Sequence, residues 1–456
     1  MDYWKYAVFP LAAGSLLLYA LLWLPLHEGY RAAESVMAVL LLATMIRFWR
    51  PWFRNDLFVR LWLVFLGFLI LVQFWYAFSL PATEAFAPSN KVTRHYIKPI
   101  LILLTGVMVL QYGKHLRFWL GAAAVAGLIV YLALQVGSGQ WERALNGSRA
   151  DFNIRNAQHT ALAFGTLLLA SLFYLPRVIT SHRPALVRAL SGIGIGLLVA
   201  LGLFGVIVTQ TRGVWLGLVG AAAVCIGALL AHALRGTRRA PQVKAKRTRI
   251  SMMTGAAVLA LAVTALFALD VDERISNRLA QAEIAKHWEH LTDDTRIETI
   301  ELDSPGIRVA TWLAATKWIQ ERPLLGWSTD NAQDLIDQAP WFGETFKKRF
   351  GHLHNMHLEV FLAHGLIGGL LFYSLFIWIT VSIALAYTRG TMPGDAALFG
   401  LGFVVYWAIA NMFESYYLYS SGQYIVTVVF GFLYSYHFAS GKTGHHSKPR
   451  DILAGN

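Results

Sequence analysis

Long apolar runs alternate with short polar segments along the whole chain. Most runs are close to the length of about 20 residues that a helix needs to cross a bilayer. Twelve such spans can be drawn, with the bounds 6–26, 33–49, 57–79, 97–113, 117–137, 159–177, 187–210, 213–234, 251–269, 356–387, 396–413 and 423–440. Because a lipid-exposed backbone cannot leave its amides unpaired, the pattern predicts an all-α polytopic membrane protein with about 12 transmembrane helices.

The composition supports this fold class and excludes a soluble enzyme. Hydrophobic residues make up 56% of the 456 residues and charged residues only 14%, whereas soluble domains average about 25% charged residues. The single cysteine, Cys225, lies inside an apolar run, so one chain can form neither a disulfide framework nor a cysteine-based metal site. The first apolar run is longer than the core of a usual signal peptide, and we interpret it as a retained helix.

The distribution of basic residues predicts the orientation in the membrane. Residues 235–250 carry seven Lys or Arg and no acidic residue, which is typical of a cytoplasmic loop. Alternating from that segment places both termini in the cytoplasm and the long loop 270–355 in the periplasm. The net charge of +13 is therefore interpreted as a topology signal and not as a nucleic-acid surface.

The spans divide the chain into four predicted parts. These are transmembrane helices 1–9 in residues 1–269, a periplasmic loop domain in 270–355, helices 10–12 in 356–440 and a cytoplasmic tail in 441–456. A loop of that length is usually functional. Within it, apolar residues recur at helical spacing between Pro305 and Pro323. They predict an amphipathic helix that lies flat at the membrane surface.

Several basic residues fall on the predicted periplasmic face. Arg212 stands at the border of two apolar runs, where an ionisable residue is costly and often functional. The others on this face are Lys91, Arg94, Lys98, Arg155 and Arg308. Since Arg forms bidentate bonds to phosphate oxygens, the group favours a lipid-linked diphosphate ligand. An interface anchor that extends its charge toward water is the alternative for Arg212.

Three histidines precede the tenth span. They are His352, His354 and His357, and a histidine near its reference pKa is the usual general base at neutral pH. His354 and His357 are also spaced for a shared zinc ion, but no H-E-x-x-H motif accompanies them. We expect no metal here, while an ordinary interfacial histidine cluster stays open as an alternative.

Other motifs are not typical of a nucleotide-dependent protein. The glycine cluster 192–196 lies within an apolar span and favours close helix packing over a nucleotide loop. The acidic run 289–303 contains no D-x-D pair and favours a solvated loop. Because the sequence also contains no P-loop motif, we do not expect ATP-driven transport by this chain alone.

Three motifs resemble the O-antigen ligase and polymerase family of Gram-negative inner membranes. That family carries an H-[N/S/Q]-x9-G-x-x-G pattern at a late helix, and this chain has His354-Asn355, nine residues, and then Gly365 to Gly368. Its S/T-R-G/A element is similar to Thr211-Arg212-Gly213. An Arg upstream of P-L-L-G is similar to Arg308 and residues 323–326. The chain departs from the family at Gly369, where Thr is common, and at Trp327 and Ser328, where a second Gly is common.

This resemblance implies glycan transfer from undecaprenyl diphosphate to an acceptor hydroxyl, without a cofactor. His354 would be the general base, and Arg212 and Arg308 would stabilise the leaving diphosphate. The implied donor-binding residues are Arg212, Arg308, Arg155, Arg94 and Lys91, and the supporting residues are Asn355, His357 and Gln210. No metal is implied.

The acceptor decides between activities within the family. A ligase joins O-antigen to lipid A–core, a polymerase extends the glycan, and a protein O-oligosaccharyltransferase modifies a protein. The twelve-span layout with compact loops resembles the ligase most closely, in the inner membrane. A lipid-linked sugar flippase is the non-enzyme alternative, but a flippase needs charges along a path through the bundle. Here the charges gather at one face, which favours an enzyme.

Overall fold

The computed structural model describes residues 3–79, 94–179, 181, 183–236, 297, 304–328 and 332–443. Every regular element in these ranges is helical. The α-helices are α1 (Phe9–Leu22), α2 (His27–Arg47), α3 (Leu57–Ser79), α4 (Ile102–Tyr112), α5 (His115–Leu134), α6 (Gln140–Leu145), α7 (Ala157–Ile179), α8 (Ala185–Val208), α9 (Arg212–Gly236), α10 (Ser304–Glu321), α11 (Gln333–Gln338), α12 (Glu344–Arg349), α13 (Met356–Thr388), α14 (Gly394–Ala410), α15 (Ser420–Ile425) and α16 (Gly431–Thr443).

The all-α polytopic membrane fold is confirmed. Within the described ranges, nine helices are long and apolar enough to cross a membrane, namely α1 to α5, α7 to α9 and α13. They correspond to the predicted spans 1–8 and 10 within two helical turns. The eleventh predicted span is the shorter helix α14, and the twelfth is built from α15, a π-helical turn and α16.

Some predicted segments lie outside the described residues. They include the ninth span 251–269, most of the basic segment 235–250, the acidic run 289–303 except Ile297, Lys91 and the tail from residue 444. The count of twelve helices and the four-part division of the chain therefore stay predictions.

The helices pack as pairs that bring distant parts of the chain together. The most extensive associations are α7 with α8, α9 with α14, α1 with α2, α4 with α16 and α1 with α5, followed by α3 with α13. Small residues allow these contacts, as expected for membrane helices. For example, Gly165 of α7 lies against the Tyr406 ring of α14, and the Tyr406 hydroxyl donates to the Leu162 carbonyl at 3.0 Å.

One end of the bundle collects several helix ends. Met356 N–H donates to the Asn411 carbonyl at 2.8 Å, and Ala150 N–H donates to the Val208 carbonyl at 3.1 Å. The Thr211 hydroxyl reaches the Ala157 carbonyl at 3.3 Å. We call this end the site end.

Helix α13 is broken at Gly365, where the backbone adopts φ 61° and ψ −167°. The segment 323–328 supplies the hydrogen bonds that the break removes. Trp327 N–H and Ser328 N–H donate to the carbonyls of residues 362 and 363, each at 2.8 Å, while the amides of residues 366 and 367 donate to the carbonyls of 323 and 324. An irregular backbone can therefore lie within a membrane helix because protein covers it.

The helix predicted between Pro305 and Pro323 is present as α10. Its apolar face, which includes Ala310, Ala314 and Trp318, is buried against α11, α12, Leu353 and Leu362. This face therefore packs against protein, in contrast to the expected contact with the membrane interface. This packing also positions the histidines. Trp312 Nε1 donates to the Leu353 carbonyl at 3.0 Å and so fixes the loop that carries His352 and His354.

Candidate functional site

Two histidines and one carboxylate form a hydrogen-bonded cluster at the site end. Glu414, four residues after the end of α14, accepts from His352 Nε2 at 2.8 Å and from His354 Nδ1 at 3.3 Å. The two imidazole rings lie 4.0 Å apart. The Glu414 side chain is only 1% exposed, whereas those of His352 and His354 are 17% and 15% exposed. The cluster therefore has a buried carboxylate and a histidine rim open to solvent.

A second buried carboxylate fixes the two loops that carry this cluster. Glu359 Oε1 accepts from Leu353 N–H at 2.6 Å and from the Ser415 hydroxyl at 3.2 Å. Leu353 precedes His354, and Ser415 follows Glu414. Glu359 therefore fixes the positions of His354 and Glu414 relative to each other.

His354 itself adopts a left-handed backbone conformation with φ 52°. A non-glycine residue rarely does so, and such strain is concentrated at functional sites. The following residue, Asn355, caps α13 by accepting from the amides of His357 and Leu358. The left-handed turn at His354 is thus followed by the cap residue Asn355 and then by the first residue of α13, Met356. In this turn the His354 side chain points toward Glu414.

Arg308 of α10 joins the cluster through Gln158 of α7. With its amide nitrogen toward Glu414 and its oxygen toward Arg308, which is the orientation that satisfies both neighbours, Gln158 donates to Glu414 Oε2 and accepts from Arg308 Nη2 at 3.1 Å. The Gln158 amide thus connects the His352–His354–Glu414 cluster to the half-buried Arg308 guanidinium.

The charges of these groups follow from burial and hydrogen bonding. Burial alone would raise the pKa of Glu414, but the hydrogen bonds from His352 and His354 hold that pKa well below its usual range. Burial lowers the pKa of His354, and the hydrogen bond to Glu414 opposes this effect. At neutral pH the cluster therefore contains an ionised Glu414 and a neutral His354 beside the Arg308 cation.

Arg212 is the first residue of α9, at the site end. Its two neighbours in sequence make the contacts that place it: Thr211 bonds the first residue of α7, and a Cβ on Gly213 would meet the Phe413 side chain at 2.7 Å. The backbone around Arg212 therefore contacts Ala157, which precedes Gln158, and Phe413, which precedes Glu414.

The family comparison matches the part of the chain that carries most of these residues. Residues 197–373 match the family model described as O-antigen ligase. Over this range the chain is similar to the O-antigen ligase family. Comparison with curated proteins gives no match.

The O-antigen ligase match includes Arg212, Arg308 and His354, and the structure brings the elements that carry them together. Glu414 and Gln158 lie outside the matched range, although they connect the residues inside it. Sequence reasoning missed both. The only available signal was that each is a polar residue at the end of an apolar run.

The other basic residues of the predicted periplasmic face, among them Arg155, Arg94 and Lys98, lie at different distances from the cluster. The exposed Arg155 guanidinium lies 3.5 Å above the Tyr419 ring, which in turn contacts His352 edge-on. Arg94 is exposed and makes no hydrogen bond to the described residues of the cluster. Lys98 is bound to Glu34 and Gln423 and is directed toward a different part of the bundle.

The supporting residues Gln210 and His357 form contacts with distant parts of the chain, which the sequence alone does not predict. Gln210 adopts φ 49° in the turn between α8 and α9, and its amide donates to the Gly147 carbonyl. Both ring nitrogens of His357 are engaged, with the Tyr373 hydroxyl at 2.6 Å and the Ala408 carbonyl at 2.9 Å. His357 therefore joins α13 to α14 and does not face Glu414.

One further arginine, Arg149, lies near the cluster. Its Nε donates to the Thr209 carbonyl at 2.9 Å. Burial raises the pKa of the Tyr416 hydroxyl well above its ordinary value, the Glu414 charge adds to this rise, and the charges of Arg308 and Arg149 oppose it. Arg149 is thus a fourth guanidinium at the site end, besides Arg155, Arg212 and Arg308, and it was not singled out from the sequence.

The donor atoms of His352, His354 and Glu414 all lie within 4.8 Å of one another. Two imidazoles and a carboxylate are a set that can hold a metal ion. The rival zinc pair considered from the sequence, His354 with His357, is not assembled, because the His357 ring nitrogens contact Tyr373 and Ala408.

Proposed function

We propose that this protein is an O-antigen ligase that transfers O-antigen polysaccharide from undecaprenyl diphosphate to a sugar hydroxyl of lipid A–core. The observation that carries the proposal is the hydrogen-bonded path His354–Glu414–Gln158–Arg308. It combines a general base with a guanidinium that suits a diphosphate. These are the two groups that such a transfer requires.

The base is His354 in this mechanism. A carboxylate only accepts hydrogen bonds, so Nδ1 carries the proton that faces Glu414 and Nε2 keeps its lone pair. Nε2 takes the proton of the acceptor hydroxyl while the oxygen attacks the anomeric carbon. The bond between that carbon and the diphosphate breaks on the opposite side. A single displacement of this kind inverts the anomeric configuration.

Arg212 and Arg308 stabilise the leaving diphosphate. Negative charge grows on the leaving oxygen as the bond breaks, so fixed guanidinium groups in a partly dehydrated site bind the transition state more tightly than the ground state. Arg155 and Arg149 extend the basic surface at the same end. Neither a metal nor a nucleotide is needed for these steps.

The proposed orientation places the site end in the periplasm and both termini in the cytoplasm of a Gram-negative cell. The strongly basic segment that follows α9 supports it. A periplasm-dependent reporter fused after residue 300 should be active, and a cytoplasm-only signal there would contradict the mechanism as well as the topology.

Reconstitution tests the activity directly. The purified chain in proteoliposomes should join lipid-linked O-antigen to lipid A–core and release undecaprenyl diphosphate, and His354→Ala serves as the inactive reference. Parallel reactions offer a second lipid-linked glycan or a pilin-like protein as acceptor. Transfer to either of these but not to lipid A–core would assign the chain to the polymerases or to the protein O-oligosaccharyltransferases.

A further inference from the structure

The cluster of His352, His354 and Glu414 has the donor set of a zinc site. We infer that these three residues bind a divalent transition-metal ion such as Zn²⁺, and that the bound ion inhibits transfer. The metal-free cluster is the active state, and the bound ion makes it inactive. Binding of the ion is independent of the proposed function, whereas the inhibition rests on it.

The distances favour a small ion. Zinc binds imidazole nitrogen and carboxylate oxygen at about 2.0–2.2 Å, so two donors on one ion can be about 4 Å apart at most. The donors of the cluster lie within 4.8 Å of one another. Donors of a tetrahedral ion lie about 3.4 Å apart, so a closing movement of up to about 1.4 Å brings all three onto one ion. A water molecule completes a four-coordinate site.

The surroundings prepare the ligands for binding. Ser415 N–H donates to Glu414 Oε1 at 3.0 Å, and Glu359 fixes the backbone on both sides of the cluster. Such outer contacts orient ligands and strengthen metal binding. The partial exposure of His352 and His354 gives an ion access from solvent. The nearby charge of Arg308 acts against a dication and weakens its binding.

Inhibition follows from the tautomer of His354. In the proposed working state Nδ1 carries a proton and Nε2 is the base. A metal ion binds Nδ1 only after that proton has left, and the neutral ring then carries its proton on Nε2. The ring nitrogen that should accept the hydroxyl proton has lost its lone pair. The ion therefore removes the base without entering the diphosphate site.

Titration of the full-length chain with Zn²⁺ tests the binding. After chelator treatment, calorimetry in nanodiscs compares the parent with Glu414→Gln and His352→Ala, and Co²⁺ absorption reports a four-coordinate geometry. Loss of one ligand should weaken one site by about 100-fold or more, since even outer contacts contribute 10–100-fold. His115→Ala is the matched control, because His115 is exposed at the start of α5.

The sequence contains further histidines that can bind zinc, such as His287, His290, His445 and His446. The site is therefore identified from the difference in zinc binding between the parent and each variant. One site should disappear in Glu414→Gln and in His352→Ala and remain in His115→Ala. If Glu414→Gln does not fold, His352→Ala decides, because His352 lies on the solvent-facing rim. Unchanged stoichiometry and affinity in a folded His352→Ala variant overturns the inference.

Activity assays separate this inference from the proposed function. Zn²⁺ should inhibit transfer by the parent at the concentrations that fill the site, and chelation should restore the rate. A filled site without inhibition would leave the metal site standing, but would overturn the inhibition and the role of His354 as base. Normal transfer with no zinc site would overturn the metal inference alone.

Discussion

Gly326 and Gly365 lie backbone to backbone, although 39 positions separate them in the sequence. A Cβ on Gly326 would overlap the amide of Gly365, and a Cβ on Gly365 would overlap the backbone of Leu324. Both residues have positive φ, 72° and 61°. Two separate family motifs, P-L-L-G and G-x-x-G, are thus the two halves of one contact at the break of α13.

Gly326→Ala and Gly365→Ala should therefore each destabilise the protein. The left-handed conformation alone costs about 1–3 kcal/mol for a residue with a side chain, and the backbone overlap adds to it. The expected result is a lower thermal unfolding midpoint and less folded protein. Gly343→Ala is the matched control, because a Cβ there meets open space. Equal stability of all three variants would contradict this account of the motifs.

His354→Ala should abolish transfer and leave donor binding intact. The base acts on the acceptor proton and not on the diphosphate, so binding of a lipid-linked donor measured by tryptophan fluorescence should be unchanged. His357→Ala should instead lower stability, since it removes the contacts with Tyr373 and Ala408. An inactive, stable His357→Ala beside an active His354→Ala would show that the base was assigned to the wrong histidine.

Arg212→Ala and Arg308→Ala should weaken both donor binding and turnover. Ground state and transition state both carry phosphate charge, and loss of one stabilising donor costs about 10²–10³ in rate. Lys should restore only part of the rate, because an ammonium replaces the charge but not the planar fork. Arg188→Ala in the exposed first turns of α8 is the control. Full activity of Arg308→Ala would remove it from the mechanism.

The pH dependence of kcat/KM should report His354. The base is active when neutral, and burial lowers its pKa, so the acidic limb should lie below the ordinary histidine value of about 6.5. Glu414 raises that pKa by its hydrogen bond and charge. Glu414→Gln should therefore move the limb to still lower pH and reduce the plateau rate. A shift to higher pH, or none, would exclude Glu414 as the partner of the base.

Chelation should not reduce transfer. The proposed steps use a histidine and guanidinium groups, and a metal on the His352–His354–Glu414 cluster would inhibit. Purified enzyme treated with EDTA should therefore retain its rate without added nucleotide. Loss of activity that a divalent ion restores would favour a metal-dependent mechanism over the one proposed.

The sequence determined the features that depend on neighbouring positions along the chain. Apolar runs near the thickness of a bilayer predicted the helices, because an isolated backbone in lipid has to be helical. Pro305 and Pro323 predicted the bounds of α10. The motif residues Arg212, Arg308 and His354 were also recognisable, because each stands in a short local pattern.

The tertiary structure alone decided which side chains meet. Glu414 follows His354 by 60 residues and Gln158 precedes it by 196, and no local spacing indicates that they join it to Arg308. The spacing of the histidines allowed a shared site for His354 and His357, yet the turn before α13 directs His352 and His354 toward Glu414 and His357 toward Tyr373. In a membrane protein the lipid-facing and core-facing sides of a helix are equally apolar. Hydropathy therefore locates each helix but not its neighbours, and the site depends on the neighbours.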